Sequence, residues 1–245
     1  MMKLKKLITL LTTTILTSTF FTGCSNNNSG INGTINVYNC ADYIDESLIS
    51  KFEDETGIKV IYDKYDTNEI MYQKIQTSPG TYDLVFPSDY MVEKMRKEGL
   101  LEKLNFNNIP NYKYISDDFL NLSYDPTNEY SVPYFWGSVG IVYDKTKVSE
   151  KDLKEQGFNI FLNQKYKGDI YLYDSERDSF MMALKALGYS MNTDNEKELE
   201  EAYNWLLGCV NTMSPEIVTD EIIDNMAQAR KAFGLIYSGD AAYAM

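Results

Sequence analysis

The residues most able to do chemistry lie at 171–180, YLYDSERDSF. Asp174, Glu176 and Asp178 fall close together there, with Arg177 between the last two and Tyr171 and Tyr173 just upstream. Four kinds of chemistry use such a set. Paired carboxylates such as Asp174 and Asp178 can serve as a glycosidase pair. Three acids can hold a divalent cation through oxygen ligands. Carboxylates beside aromatic rings can hold an organic cation, the acids by charge and the rings by cation–π attraction. The same residues can also be a solvated helix start, since acids in a first turn suit the helix dipole.

Composition narrows this choice. The chain has no histidine, which removes Ser-His and Cys-His catalytic pairs and histidine metal sites. Phosphate-loop and dinucleotide glycine fingerprints are absent, so no cofactor is indicated. The spacing at 174–178 lacks the EF-hand pattern and its glycine, so no metal is indicated either. A formal net charge of −13 argues against nucleic acid and suits a cationic ligand. Nothing beyond the paired carboxylates supports an enzyme. With 44% hydrophobic and 24% charged residues, the 245-residue chain can bury a core, and its length suits one or two domains.

The elements that must position these residues follow from periodicity. Residues 34–39 (TINVYN) alternate as a strand. Residues 45–55 carry Leu48, Ile49 and Phe52 at helical spacing, and Gly57 stops them. Strand 58–62, helix 68–76, a turn at Ser78-Pro79-Gly80, strand 82–86 (YDLVF, apolar enough to be buried on both faces) and helix 89–98, ended by Gly99, come next. This β-α-β-α-β order implies a parallel sheet with right-handed crossovers. The run 131–144 (SVPYFWGSVGIVYD) reads as a long strand passing from one lobe to another. The spacing then predicts a strand ending at Tyr173, helices over 179–187, 196–207 (with Leu199, Tyr203, Leu206 and Leu207) and 221–232, and a strand over 234–238. The last residues read as the start of another helix.

The first 24 residues have the form of a secretory leader. Lys3, Lys5 and Lys6 precede an apolar, Thr-rich run that ends at Phe21-Thr22-Gly23-Cys24. A cysteine directly after Thr-Gly resembles the lipobox of bacterial lipoproteins, which implies acylation of Cys24 as the mature N-terminus. Residues 25–33, polar and rich in Asn, Ser and Gly, read as a flexible tether. Loss of the leader takes the charge from −13 to −16. The export compartment permits a disulfide between Cys40 and Cys209, but two free thiols fit the sequence equally.

Six segments in order carry a wider resemblance: NCADYI (39–44), ETGIKVIYDKYDTNEIMYQKI (55–75), YDLVFPSDYMVEKMRKEGLLEKL (82–104), SVPYFWG (131–137), DSERDSF (174–180) and GLIYSGDAA (234–242). Together they resemble the spermidine/putrescine-binding proteins of polyamine ABC transporters. The resemblance implies a two-lobed α/β periplasmic-binding-protein fold with parallel-rich sheets and a hinge, the lobes being 34–136 and 137–245. It implies a monomeric receptor, lipid-anchored on the outer face of the cell membrane or in the periplasm. Such a receptor encloses a polyamine and passes it to an ABC permease without chemistry. Members of that family run on past the position of Met245 and return to the first lobe, so the second lobe is expected to be incomplete here.

Carried over residue by residue, the resemblance makes Tyr43, Asp42, Ser88, Tyr90, Asp178, Asp174 and Tyr237 ligand-binding, with Asp178 taking a ligand amine. Each has a plainer reading: Tyr43 packed on the sheet, Asp42 and Ser88 as caps, and the acids at 174–178 as a helix cap with Arg177 balancing Asp174 or Glu176. Asp240 is the weakest correspondence, and Trp136 is expected to pack at the lobe crossover. Cys40 stands where the family usually has tryptophan, and Ala41 lacks the hydroxyl common there. Another organic cation or amino-acid-derived solute therefore remains open as the ligand.

Overall fold

The computed structural model describes residues 33–40 and 43–245, so the leader, Cys24, most of the tether, Ala41 and Asp42 lie outside the described residues. Of these residues, 33–35 and 44–61 belong to one compact unit and the others to a second.

In the first unit, helix α1 spans Ser47–Thr56. It begins two residues later than the spacing suggests because the Asp45 carboxylate accepts the Ser47 N–H at 2.9 Å. Gly57 ends it in the left-handed region (φ 72°), its N–H bonding to the Glu53 carbonyl. None of its residues is buried, and Leu48 and Phe52 are exposed.

Strands β1 (Gly33–Cys40), β2 (Ile58–Tyr65) and β3 (Leu84–Val85) form a sheet in the order β2-β1-β3. β1 and β3 run parallel, with Val37 opposite Leu84 and Tyr38 opposite Val85. Helix α2 (Asn68–Thr77) is capped by the Thr67 side chain, and helix α3 (Asp89–Lys97) follows β3. Their buried faces, Met71 and Ile75 on α2 and Met91 and Met95 on α3, pack with Tyr38 and Tyr65. The expected doubly buried strand 82–86 is shorter and half-open. β3 lies at the edge of its sheet, and Leu84 is exposed.

Residues 105–119 form three short 3-10 turns. The expected long strand over 131–144 is regular only at β4 (Val139–Tyr143). The N–H groups of Tyr130 and Ser131 are taken by the buried Asp125 carboxylate, each at 2.9 Å, and Pro133 has none to give. Residues 131–138 are therefore an irregular strap. Trp136 is 79% exposed, its ring 5.5 Å from Phe119, so it does not pack into the crossover as expected.

After helix α4 (Glu150–Gln156) comes the second sheet, of β5 (Ile170–Tyr173), β6 (Glu216–Val218) and β7 (Phe233–Tyr237) with β4, in the order β4-β7-β5-β6. Only the β4–β7 pair is antiparallel. Helix α5 (Glu176–Leu187) starts three residues earlier than the apolar spacing predicts, because Ser175 caps it. Helix α6 (Glu196–Met213) runs on past 207, and its inward face is Ala202, Trp205, Cys209 and Met213. Tyr203 and Leu207, expected inside, are exposed. Helix α7 (Glu221–Ala227) ends early: Ala229 takes a left-handed backbone (φ 52°), and the Arg230 N–H bonds back to the Asn225 carbonyl. Helix α8 (Ser238–Ala244) closes the order. The second core is apolar and dense, with Ile160, Phe161, Ile170, Met182, Ile222, Phe233 and Leu235 all fully buried. Cys209 lies in it as a thiol, bonding to the Phe161 carbonyl at 3.3 Å, and neither Cys209 nor Cys40 is in a disulfide among the described residues.

Candidate functional site

The acids of 174–178 separate into different roles at the start of α5. Ser175 is the N-cap, its hydroxyl accepting the Asp178 N–H at 3.3 Å. Asp178 is half-buried, and its Oδ2 accepts the Tyr237 hydroxyl at 2.5 Å, a short charge-assisted bond. Asp174 and Glu176 are exposed. The Asp174 N–H bonds to the Val218 carbonyl, and its carboxylate makes no hydrogen bond among the described residues. Arg177 balances neither acid. Its Nη2 donates to Asn192 Oδ1 at 2.5 Å, and its guanidinium lies 5.9 Å from the centre of the Tyr90 ring. Among the described residues no three acids or cysteines come together as a metal site.

The chain ends of parallel strands β5 and β7 bring two tyrosines to Asp178. Tyr173 closes β5 and Tyr237 closes β7, with ring centres 5.1 Å apart, edge to face. The Tyr173 hydroxyl donates to Asp220 Oδ1 at 3.2 Å. Val139, Leu235 and Ile236 pack around Tyr173, Asp178 and Tyr237, leaving a crevice too tight to admit a water. Ligands of open α/β sheets sit at such carboxyl ends of strands.

Tyr90 stands in the first turn of α3. Its hydroxyl donates to Glu69 Oε1 at 2.9 Å, so its ring is held from α2. Ser88 occupies the N-cap position of α3 but does not cap with its side chain. Asn68 grips it instead, donating to Ser88 Oγ at 3.0 Å and accepting the Ser88 N–H at 2.9 Å. Tyr43 offers its carbonyl to the Tyr134 hydroxyl at 2.7 Å, and its ring lies 6.0 Å from that of Phe135.

The electrostatics tie these groups together. Burial pushes the Tyr237 phenol far up, and the Asp178 charge adds to it. Burial also raises Tyr173, helped by Asp220, and Tyr90, helped by Glu69 and then Asp178. Tyr43 is raised by burial and by Asp240, Cys40, Asp220 and Asp178. These phenols stay protonated at neutral pH, so they act as donors and apolar faces, not as bases. Carboxylates lined by neutral rings suit a cation that brings both charge and apolar stem.

Of the residues singled out in the sequence, Tyr43, Tyr90, Asp178 and Tyr237 share one electrostatic neighbourhood. Ser88 neighbours Tyr90 in α3's first turn, and Asp174 is exposed beside the group. Sequence reasoning missed Glu69, Asp220 and Tyr134, and noted Tyr173 without assigning it to the site. Asp220 and Glu69 had no local signal, whereas Tyr173 could have been found as the last residue of its strand.

A family described as bacterial extracellular solute-binding protein matches residues 47–245. The spermidine/putrescine-binding periplasmic protein of Escherichia coli strain K12 is 39% identical over 214 residues, covering 86% of this chain and 60% of the relative. Among solved structures, the spermidine/putrescine ABC transporter substrate-binding protein PotD of Streptococcus pneumoniae is similar with 38% identity and a TM-score of 0.67, covering 86% of this chain and 64% of that one. The TpPotD lipoprotein of Treponema pallidum is similar with 31% identity and a TM-score of 0.73, covering 84% and 64%. The chain thus spans less than two thirds of the length of these relatives, and its two sheets are those of the bilobed periplasmic-binding-protein fold.

Proposed function

We propose that this chain, which belongs to the bacterial extracellular solute-binding proteins, is the polyamine-binding portion of a receptor that serves an ABC importer. The observation that carries the reading is Asp178, a half-buried carboxylate bonded by Tyr237 and felt by the rings of Tyr43 and Tyr90. An ammonium end pairs with that acid, and the methylene stem lies on the rings, each contact contributing about 0.5–2 kcal/mol. Binding, not catalysis, is the role: the tyrosines are held as neutral donors, and the chain has no histidine base.

Within this proposal Asp178, Tyr43, Tyr90 and Tyr237 contact the ligand. Ser88 accepts from an ammonium while Asn68 holds its hydroxyl in place. Exposed Asp174 adds negative charge that draws the cation in, and Asp42 is assigned to the ligand on the resemblance alone. The lobes are assigned to 34–136 and 137–245. Cys24 anchors an exported monomer through lipid, in keeping with the lipobox-like FTGC and with the lipoprotein named among the similar structures. The permease is the macromolecular partner. Cys40, which stands where the resembled family usually has tryptophan, favours a second ligand class. A thiol is smaller than an indole and leaves room for a bulkier organic cation.

The test is a titration of the chain with putrescine, spermidine and a guanidinium amine, followed by thermal shift at two salt concentrations. Saturable stabilisation by the polyamines that weakens with salt is expected. A response to the guanidinium amine alone moves the assignment to the second class, and no response to any of the three contradicts the receptor reading.

A further inference from the structure

Arg177 has no local reason for its place. A cation in the first turn of a helix runs against the helix dipole, and Arg177 pairs with neither Asp174 nor Glu176 beside it. Successive helix positions point about 100° apart. Asp178 therefore faces Tyr237 while Arg177 faces elsewhere. Its guanidinium edge bonds to Asn192, in the turn between α5 and α6, at 2.5 Å. Its guanidinium carbon lies 5.9 Å from the centre of the Tyr90 ring on α3. A planar guanidinium can stack and donate at its edge at once, which an ammonium cannot.

Tyr90 and Glu93 lie three residues apart and share a face of α3. Glu93 is held below the usual carboxylate range first by its bond from Lys97 and also by the charge of Arg177. The same Tyr90 donates its hydroxyl to Glu69 on α2. Its hydroxyl is thus fixed by Glu69, and Arg177 lies within cation–π reach of its ring. One side chain links the acid-bearing start of α5 to the ring-bearing start of α3.

We propose that Arg177 is a positioning residue that fastens α3 to α5 beside the cation site, fixing Tyr90 and lengthening the time a bound cation is retained. The inference rests on the receptor reading, and Arg177 itself does not choose between ligands. A guanidinium that merely filled the site of an absent ligand would instead compete with it.

The experiment uses the full chain carrying Arg177→Gln and, separately, Arg177→Lys. Dissociation rates and affinities for putrescine and spermidine are measured, with small-angle scattering of the ligand-free protein. Arg177→Gln is expected to weaken both ligands by the same factor, about threefold to tenfold, through faster dissociation. It is also expected to enlarge the ligand-free radius of gyration, and Arg177→Lys restores part of each effect. Unchanged or tighter binding in Arg177→Gln, or a loss confined to one ligand, overturns the proposal. Should the unaltered chain bind neither polyamine, the receptor reading fails by itself. The ligand-free scattering then decides on Arg177 alone, with expansion supporting the fastening and unchanged dimensions overturning it.

Discussion

The two cores of this chain are built from different materials. The core beside the second sheet is larger and mostly aliphatic, and the rings of Phe161 and Tyr166 both meet Phe233 edge-on. The core beside the first sheet is smaller and rests on tyrosine and methionine: Tyr38, Tyr65, Met71, Ile75, Met91 and Met95. Tyr38 stacks on Tyr82 at 4.4 Å, and Lys74 lies over both rings. Tyr82 donates to Asp63, and Tyr65 to the Phe86 carbonyl. The candidate site draws one wall from each. Asp178, Tyr173 and Tyr237 stand on the dense core, whereas Tyr90 stands on the helices of the polar-aromatic one. The acid therefore stands on the larger core and the Tyr90 ring on the smaller one.

Matched truncations break or sharpen this contrast most strongly. Met182 and Met95 are both fully buried, one in each core. Met182→Ala is expected to cost about 4 kcal/mol and Met95→Ala about 2 kcal/mol, because a dense core relaxes less around a cavity. Urea melts of the two variants check this, and equal losses would remove the distinction. Gly234 probes the dense core from the other direction. A Cβ there would meet Ile222 Cδ1 at 2.7 Å and Tyr171 Cβ at 2.9 Å. Gly234→Val should cost about 3 kcal/mol and lower amide protection in β5 and β7 before that of β1, as seen by hydrogen exchange.

Tyr90→Leu tests the wall on the smaller core. It removes the ring face and the bond to Glu69 while keeping an apolar side chain. Polyamine affinity should fall about threefold to thirtyfold, with a melting temperature that moves little. A large fall in stability with unchanged affinity would make Tyr90 a packing residue.

The smallest effect concerns Cys209. Burial raises its thiol from 9.0 to about 11. The unfolded chain ionises first as pH rises, so stability present below pH 9 drains away towards pH 11. The melting temperature should decline over that window, and Cys209→Ala should remove this part of the decline.

Much of the fold was legible where local chemistry decides it. Gly57 and Gly99 mark helix ends by their positive φ, and the strand-helix alternation to Lys97 follows from periodicity. The strap at 131–138 was not legible, because Asp125 takes its N–H groups from outside the run. The inward face of α6 was misjudged because Ala202 and Cys209 are small and carry a weak apolar signal, while Tyr203 and Leu207 are large and face out. β6 is three residues long, too short for alternation to register. At the site, the family resemblance pointed to Tyr43, Tyr90, Asp178 and Tyr237. Their partners Glu69, Asp220 and Asn192 are brought in by tertiary folding, so no local pattern could name them. Arg177 was read as balancing a neighbour in sequence, yet its contacts are fifteen or more residues away.

The central claim is that Asp178, set among neutral tyrosines, holds the charged end of a polyamine. Calorimetric titration of the unaltered chain and of Asp178→Asn with spermidine tests it most directly. Asparagine keeps the shape and removes the charge, so affinity should fall about tenfold to a hundredfold, the loss of one charge-assisted bond. The salt dependence should weaken with it. Equal affinity and equal salt dependence in the two proteins would contradict the account.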